Sequence, residues 1–547
     1  MKFYRLGISC FFLALSILPA KAQSRETYHD LLTQRVRSDK VQGPQHLGDY
    51  VSDGKLRLSL RDAVLLTLEN NSDVRIDETR IEDQKFALLR TYQPFDPQLM
   101  GTFKADRVSY TGINPIQGVG SSGSSTFTDL THTGQLTYKQ TFQTGTDLSV
   151  DLTSFRSSNN SDFYFFNPYF NTVLTLQFKQ PLLRNRGTFA NRAPVVIARR
   201  TLQQSRASFE MQVSDIILAL VKQYWDVVQA RGNLEVERKS LEAADASYQR
   251  DKRALELGAL PPLDIYRSES EVASRRVQMI QGEYLLKQAE DTLRLTIGAN
   301  QDTYFRALDL DLTEKPEPEG EPRNIDAATA LQEALAQRPE FKMTRYALDN
   351  DDTNLRLARN HLQPDLSLTG YYQSYGLGGD QFSFTTGQLI SRGGLGSSLS
   401  QLFGFGFPGY GASLTLNLPI KNRAAQADMG SALVSRHRDL YLAQQVREQI
   451  TLEVSTAVHQ LELGKLTLAA GRTSLDLAQK ALAAAQRKYE LGAEQIFFVL
   501  DAQTRLAQAE SDLLQAQIRY QVAVAAVDHA TAGLLQPYHV QIAELSQ

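Results

Sequence analysis

The sequence predicts a mixed fold, mainly α with β, built as an internal tandem duplication in which two long helical hairpins alternate with two blocks of strand. Three observations predict it. A leucine-type heptad occurs twice at a constant offset of 234. A pair of shorter helical segments ending before a proline occurs twice at an offset of 267. Stretches of polar and apolar alternation lie between the helical blocks.

At the N-terminus, residues 1–22 read as a secretory signal: Lys2 and Arg5 are its positive end, Leu6 to Leu18 its apolar stretch, and Ala20-Lys21-Ala22 a small-x-small cleavage site. The mature chain is expected to begin near Gln23. Loss of Lys2, Arg5 and Lys21 would leave 55 basic against 61 acidic residues and move the formal charge from -3 to -6. Cys10, the only cysteine, falls inside that signal, so the mature chain is expected to have no disulfide, thiolate nucleophile or cysteine metal ligand.

The length of 547 residues would fit three or four ordinary domains, but the repeat argues for a different division. An extension, 23–56, precedes a first repeat at 57–314; a linker at 315–324 leads to a second repeat at 325–534 and a tail at 535–547. Composition is that of a folded protein, 42% hydrophobic and 22% charged, with no long single-sign run that would suggest a nucleic-acid partner. No run of about 18 apolar residues follows the signal, so no transmembrane helix is expected. Any membrane-spanning part would have to be a closed β-barrel.

Each repeat opens with short helices. Ser59 is a plausible N-cap for Leu60 to Asn70, followed by Ser72 to Tyr92; Ile325 to Gln337 and Pro339 to Leu362 repeat the pair, and Pro97 matches Pro364. Strands are expected at Gln98 to Tyr110, Thr133 to Phe142, Thr146 to Phe155 and Thr172 to Gln180, then at Asp365 to Tyr375 and Gly411 to Leu418. Thr111 to Leu130, Arg156 to Asn171 and Gly376 to Tyr410, rich in Gly, Ser, Phe and Tyr, read as long loops suited to a barrel rim. One copy has too few strands to close a barrel with a lumen, so oligomerisation would have to supply the rest. Pro181 and Pro419 mark the strand-to-helix junctions, because a residue without an amide donor ends pairing.

The heptad then sets the long helices. Leu220, Val227, Leu234, Leu241, Tyr248 and Leu255 recur at seven-residue spacing, and Val454, Leu461, Leu468, Leu475, Leu482 and Tyr489 repeat them. A sustained 3.5-residue period holds one seam toward a partner helix, as in a coiled coil; the alternative is an amphipathic helix on an ordinary core. From Asn191 to Leu257 the only proline is Pro194, so the first helix can run roughly 65 residues, about 100 Å. Gly258 and Gly492 then read as hairpin tips, from which Pro262 to Ile297 and Ile496 to Ala532 return. The two hairpins occupy about 190–298 and 424–532. Lys315 to Pro322, polar and proline-rich, reads as the linker between copies.

This plan resembles the TolC outer-membrane efflux family over about Leu58 to Leu534. Its most specific pieces are Gln180-Pro181-Leu182-Leu183-Arg184 before the first long helix, and Tyr489-Glu490-Leu491-Gly492 with Val499-Leu500-Asp501-Ala502 around the second tip. The resemblance implies a homotrimer with a twelve-stranded barrel in outer-membrane lipid, continuous with a twelve-helix coiled-coil tunnel crossing the periplasm, into which 23–56 would extend. One departure is visible: Pro97 and Pro181 are 84 positions apart, Pro364 and Pro419 only 55. An extra hairpin turning at Thr144-Gly145 either joins the barrel or lies over it.

The resemblance places the hairpin tips at a periplasmic entrance opened by partners. In related channels a tyrosine on one tip pairs with an aspartate on another, and alignment on the glycines puts Tyr489 and Asp264 at those positions. The alternative is that Tyr489 is the last apolar heptad residue and Asp264 a helix-start carboxylate. Glu494 stands where the family has a second, arginine-based link, so that link is expected to be missing. Asp501 matches one acidic ring of the family, or is a plain surface carboxylate; Phe498 replaces the aspartate of another ring. Gly258, Ala259, Leu260, Gly492 and Ala493 resemble the segments that meet a periplasmic adaptor (membrane fusion) protein, and they also serve as ordinary helix ends.

Other signals are set aside. Gly404, Gly406 and Gly409 satisfy GxGxxG spacing but lie in an aromatic loop before a strand, the wrong context for a dinucleotide. The eight histidines show no ligand spacing. No nucleophile-base pair or Walker-type loop occurs, so neither an enzyme nor a cofactor is expected. The leading function is passive conduction for a tripartite efflux pump or type I secretion system, with an inner-membrane pump reached through the adaptor. The alternatives are a non-conducting coiled-coil spacer or adhesin and a soluble periplasmic binding module.

Overall fold

The computed structural model describes residues 43–111, 126–161, 164–257, 262–318, 320, 322–383, 385–491 and 493–538. The expected signal, most of the extension and most of the tail therefore lie outside the described residues. The elements in chain order are β1 (Val51–Ser52), β2 (Lys55–Leu58), α1 (Leu60–Asn70), α2 (Ser72–Arg90), β3 (Gln98–Thr111), β4 (Thr126–Thr141), β5 (Asp147–Asn159), β6 (Phe166–Pro181), α3 (Gly187–Glu256), α4 (Pro262–Thr296), α5 (Thr303–Ala307), β7 (Asp309–Leu312), α6 (Ala327–Gln337), α7 (Pro339–His361), β8 (Asp365–Phe382), β9 (Leu389–Ser391), α8 (Leu395–Phe403), β10 (Pro408–Asn417), α9 (Arg423–Glu490) and α10 (Ile496–Ala530). Packing divides the chain into two compact units, Met1–Ser72 with Glu290–Glu314, and Asp73–Ala289 with Lys315–Gln547.

The smaller unit joins two segments that the sequence keeps far apart. β2 pairs in parallel with β7, Leu56 opposite Leu310 and Leu58 opposite Leu312, and all four leucines are buried while Lys55 and Arg57 point out. Ser59 caps α1 through a reciprocal box: its hydroxyl accepts from Asp62 N–H at 3.2 Å and its own N–H donates to the Asp62 carboxylate at 3.1 Å. Ala63, Val64 and Leu66 are then buried, as are Leu293 and Ile297 of the same unit. This three-stranded sheet was not legible in the sequence, because each strand is too short to show a period.

In the larger unit, α3 has 70 residues and α9 has 68, lengths of about 105 and 102 Å. Their seams behave alike. Leu220, Val227 and Leu234 are buried in α3, as are Val454, Leu461 and Leu468 in α9, whereas the three tip-ward members of each set are half-buried. α10 packs on both long helices. Gly464 and Gly471 of α9 approach Tyr520 and Leu513, Gly232 of α3 faces Leu514, and Ser511 Oγ donates to Asn233 Oδ1 at 3.0 Å. The two repeats thus share one helical body. Arg323, after the proline-rich segment, is held on α10 by Asp528 at 2.6 Å and by the Tyr520 hydroxyl, which accepts from its N–H at 2.8 Å.

The large sheet runs β10-β8-β6-β5-β4-β3, with short β9 pairing beside β8. Every neighbouring pair on that path is antiparallel. Residues paired across strands share a face, so the register assigns each row. One row reads Leu99, Tyr138, Val150, Leu176, Tyr372, Tyr410; the next, on the opposite face, reads Met100, Thr137, Asp151, Thr175, Gln373, Gly409. In these middle rows one face is mainly apolar and the other mainly polar; farther along the strands the first face also carries His132, Arg156, Thr172 and Ser374, the last two under α8. The polar rows are laced internally: Thr137 Oγ1 donates to Asp151 at 2.6 Å, and Gln373 Nε2 to Thr175 Oγ1 at 3.2 Å.

The strand-to-helix junctions lie side by side. Pro181 is the last residue of β6, opposite Ser367, rather than the residue after the strand. Sheet-like bonding continues beyond it, with Leu182 N–H donating to Leu366 O at 2.7 Å and Arg184 N–H to Pro364 O at 3.3 Å. Pro97 and Pro364 directly precede β3 and β8, and Pro419 follows β10.

Three expected loops are corrected. β4 begins at Thr126, inside the expected loop Thr111 to Leu130, whose stretch 112–125 lies outside the described residues. β5 runs to Asn159 and β6 starts at Phe166, shortening the loop Arg156 to Asn171. Within Gly376 to Tyr410 the structure has the rest of β8, then β9, α8 and the start of β10. Glycine made this stretch look like loop, but at Gly376 and Gly378 the missing Cβ is what lets α8 lie on the sheet; Ser398 Oγ donates to Gly376 O at 2.8 Å and Ser374 Oγ to Leu402 O at 2.7 Å.

Candidate functional site

At the tips, the two hairpins are built alike. Leu257 and Leu491 cap α3 and α9, donating their N–H groups to Arg253 O and Arg487 O, and they are 84% and 77% exposed. Arg253, Arg487 and Lys488 fill the last helical turns, where cations complement the C-terminal partial charge. In the second tip Ala493 N–H closes the turn on Lys488 O at 2.9 Å. Gly258, Ala259, Leu260 and Gly492 lie outside the described residues.

The gate candidates separate into two kinds. Tyr489 packs its half-buried ring, together with Leu482 and Ile496, on Ala485, Val499 and Ala502. It thus contributes to the apolar core at this end of the hairpin. Asp264 lies in α4, with its side chain outside the described residues. Glu494 pairs with Lys488 at 2.8 Å and Asp501 with Arg505 at 2.9 Å, both within the same hairpin. Phe498 is exposed and stacks edge-on against Phe497, 5.6 Å between centroids. With Leu257, Leu263, Tyr266 and Leu491, these two rings give the tips an exposed apolar character.

A charged cluster inside the helical body had no sequence signal. His529 of α10, 8% exposed, places Nε2 2.8 Å from Asp215 of α3 and Nδ1 3.2 Å from Glu453 of α9. Glu453 in turn holds Arg338, at the start of α7, at 2.6 Å. Burial pulls the imidazole pKa down, but the hydrogen bonds to Asp215 and Glu453 outweigh it and hold it at about 9. Burial likewise pushes Glu453 up, and its bonds to His529 and Arg338 reverse that and leave it lowered. The cluster ties four helices together. Residues 215, 338, 453 and 529 meet only after folding, so no local spacing announces them.

Among the described residues no group of three or more His, Cys, Asp or Glu is placed to hold a metal ion, and no helix is long and apolar enough to cross a membrane.

Comparison with known proteins places this architecture. A sequence model of the family described as Outer membrane efflux protein matches residues 146–299 and 330–533. The chain belongs to this outer membrane efflux family, the TolC family. It is 23% identical over 315 residues to the Probable efflux pump outer membrane protein TtgC of Pseudomonas putida, a match covering 57% of this chain and 58% of that one. It thus matches less than two thirds of that relative's length. To the Outer membrane protein TolC of Vibrio cholerae it is 23% identical over 338 residues, 62% of this chain and 72% of that one. Its fold is similar to the crystal structure of the Campylobacter jejuni CmeC outer membrane channel, with a TM-score of 0.60, 16% identity and 95% of each chain covered.

Proposed function

We propose that three copies of this chain form the passive exit duct of a tripartite efflux pump or type I secretion system in the outer membrane. The observation that carries it is the two-faced sheet. In the middle rows of the six strands the apolar face suits lipid, and the polar face suits a water-filled lumen. A spacer or adhesin needs no polar lumen face. The long helices that leave the sheet at Gly187 and Arg423 have the length to cross the periplasm, and family membership supports the same reading.

In this reading the tips form the periplasmic entrance, where exposed Leu257, Leu491, Phe497 and Phe498 and the small residues Ala259 and Ala493 receive the adaptor, and the inner-membrane pump supplies energy through it. Tyr489 and Asp264 of neighbouring hairpins hold the entrance closed at rest. Single-channel recording of the purified protein after outer-membrane fractionation tests the duct: conductance steps are expected, and a particle that gives none is a spacer. Tyr489→Phe with Asp264→Ala is expected to raise resting conductance; unchanged conductance removes the proposed lock. Ala493→Cys, carrying a cross-linker, should capture a periplasmic adaptor protein.

A further inference from the structure

Each protomer carries two strands more than the four that the twelve-stranded plan requires, and the structure shows where they go. β4 and β5 are not laid over the sheet. They stand within it, between β3 and β6, with unbroken antiparallel register on both sides. We infer that the barrel wall of the assembled protein has eighteen strands, six from each of three copies, and that the hairpin Thr126–Asn159 is a stretch of that wall. The inference rests on the trimeric duct proposed above.

Three features carry it. First, the middle of the hairpin has the same two faces as the strands beside it: Leu136, Tyr138, Leu148, Val150 and Leu152 share the apolar face, while Gln135, Thr137, Lys139, Ser149, Asp151 and Thr153 share the polar one. A hairpin lying over a rim or inside a lumen has no reason to keep an apolar band in line with its neighbours. Second, its turn is anchored at the helical end of the sheet. Gly145, at φ 84, closes the turn on Phe142 O at 2.8 Å, and Gly187 N–H at the start of α3 donates to Thr144 O at 3.1 Å. A Cβ at Gly145 would lie 2.8 Å from Asn185 O, so the turn is fitted closely to that junction.

Third, the edges match. An up-and-down path of six strands leaves its two edges running in opposite directions: β3 starts at the helical end, and β10 finishes there. The β10 edge of one copy can therefore pair antiparallel with the β3 edge of the next all the way round. Both edges present large apolar side chains with no cover, Leu99 at 70% and Tyr410 at 79% exposed. A long, flat, apolar edge is an aggregation hazard in a single chain and an ordinary seam between copies. Since barrel diameter grows about linearly with strand number, this wall would be roughly 1.5-fold wider than a twelve-stranded one, in the range where porins hold an aqueous channel.

Single cysteines in a Cys10→Ser background test this on the full-length protein in membranes. Gln135→Cys and Thr153→Cys should react with a water-soluble maleimide. Their neighbours Leu136→Cys and Leu152→Cys should resist it, and a fluorophore attached there should be quenched by a lipid-borne quencher. Electron cryo-microscopy of the detergent-purified particle should count eighteen strands. Equal labelling of all four positions from water, or a wall of twelve strands with Thr126–Asn159 outside it, overturns the inference and leaves the trimeric duct standing. A particle without a closed threefold barrel overturns both.

Discussion

At the second tip Tyr489 packs in the hairpin core, and the proposed gate would use the same side chain. The Tyr489 ring belongs to the core formed by Ala485, Val499 and Ala502, so its hydroxyl and its ring are separable by substitution. Tyr489→Phe keeps the ring and is expected to shift the thermal unfolding midpoint very little. Tyr489→Ala should destabilise by about 1–2 kcal/mol, less than the 3–5 typical of fully buried aromatics because the ring is half-buried. If conductance responds to Phe as strongly as to Ala, the hydroxyl carries the gate; if only Ala changes it, the ring does. Gly376 makes a sharper demand: a Cβ there would sit 2.0 Å from Ser398 O and 2.9 Å from Leu402 N, both backbone atoms of α8. Gly376→Ala should therefore lift α8 off β8 at a cost of about 1–3 kcal/mol, read as new protease cleavage within Leu395–Phe403 while the strands of the large sheet stay protected.

Whole elements are joined by the buried charges around His529. The imidazole pKa is raised from 6.5 to about 9 in the folded protein, so the folded state holds this proton more tightly than the unfolded chain. Its stabilisation is complete below about pH 6.5 and is lost as pH rises through about 9. At pH 7 it amounts to something on the order of 2–3 kcal/mol, each pKa unit being about 1.4 kcal/mol. Unfolding midpoints measured from pH 6 to pH 10 should fall across that window, and His529→Gln should flatten the fall. Glu453 has the opposite sign: its lowered pKa gives stability above the ordinary carboxylate range that is lost on acidification. Loss of either carboxylate removes one of the two charged links that His529 makes from α10, to Asp215 of α3 and to Glu453 of α9.

At the scale of the assembled molecule, the two faces of the sheet set different tolerances. Leu152→Arg puts a charge on the apolar face of β5, where a membrane midplane position would cost about 2–4 kcal/mol; Thr153→Arg, one residue on, faces the polar side. The first should sharply reduce the amount of folded protein recovered from outer membranes, and the second should leave it near the parent level. Equal recovery of the two variants would show that this face does not meet lipid.

What the sequence determined by itself was the periodic part. Seven-residue spacing marked both long helices and their shared seam, two-residue alternation found the core of each of the six long strands of the large sheet, and the constant offsets exposed the duplication, because each of these is a regular pattern written along the chain itself. Tertiary structure decided the rest. The parallel pairing of β2 with β7 joins residues some 250 positions apart, the glycines under α8 read as loop until a helix is seen resting on them, and Asp215, Arg338, Glu453 and His529 come from four segments with no common spacing. It also settled the place of the extra hairpin in the sheet, since alternation says only that a strand has two faces, and hydrogen-bond register alone says which strands stand beside it.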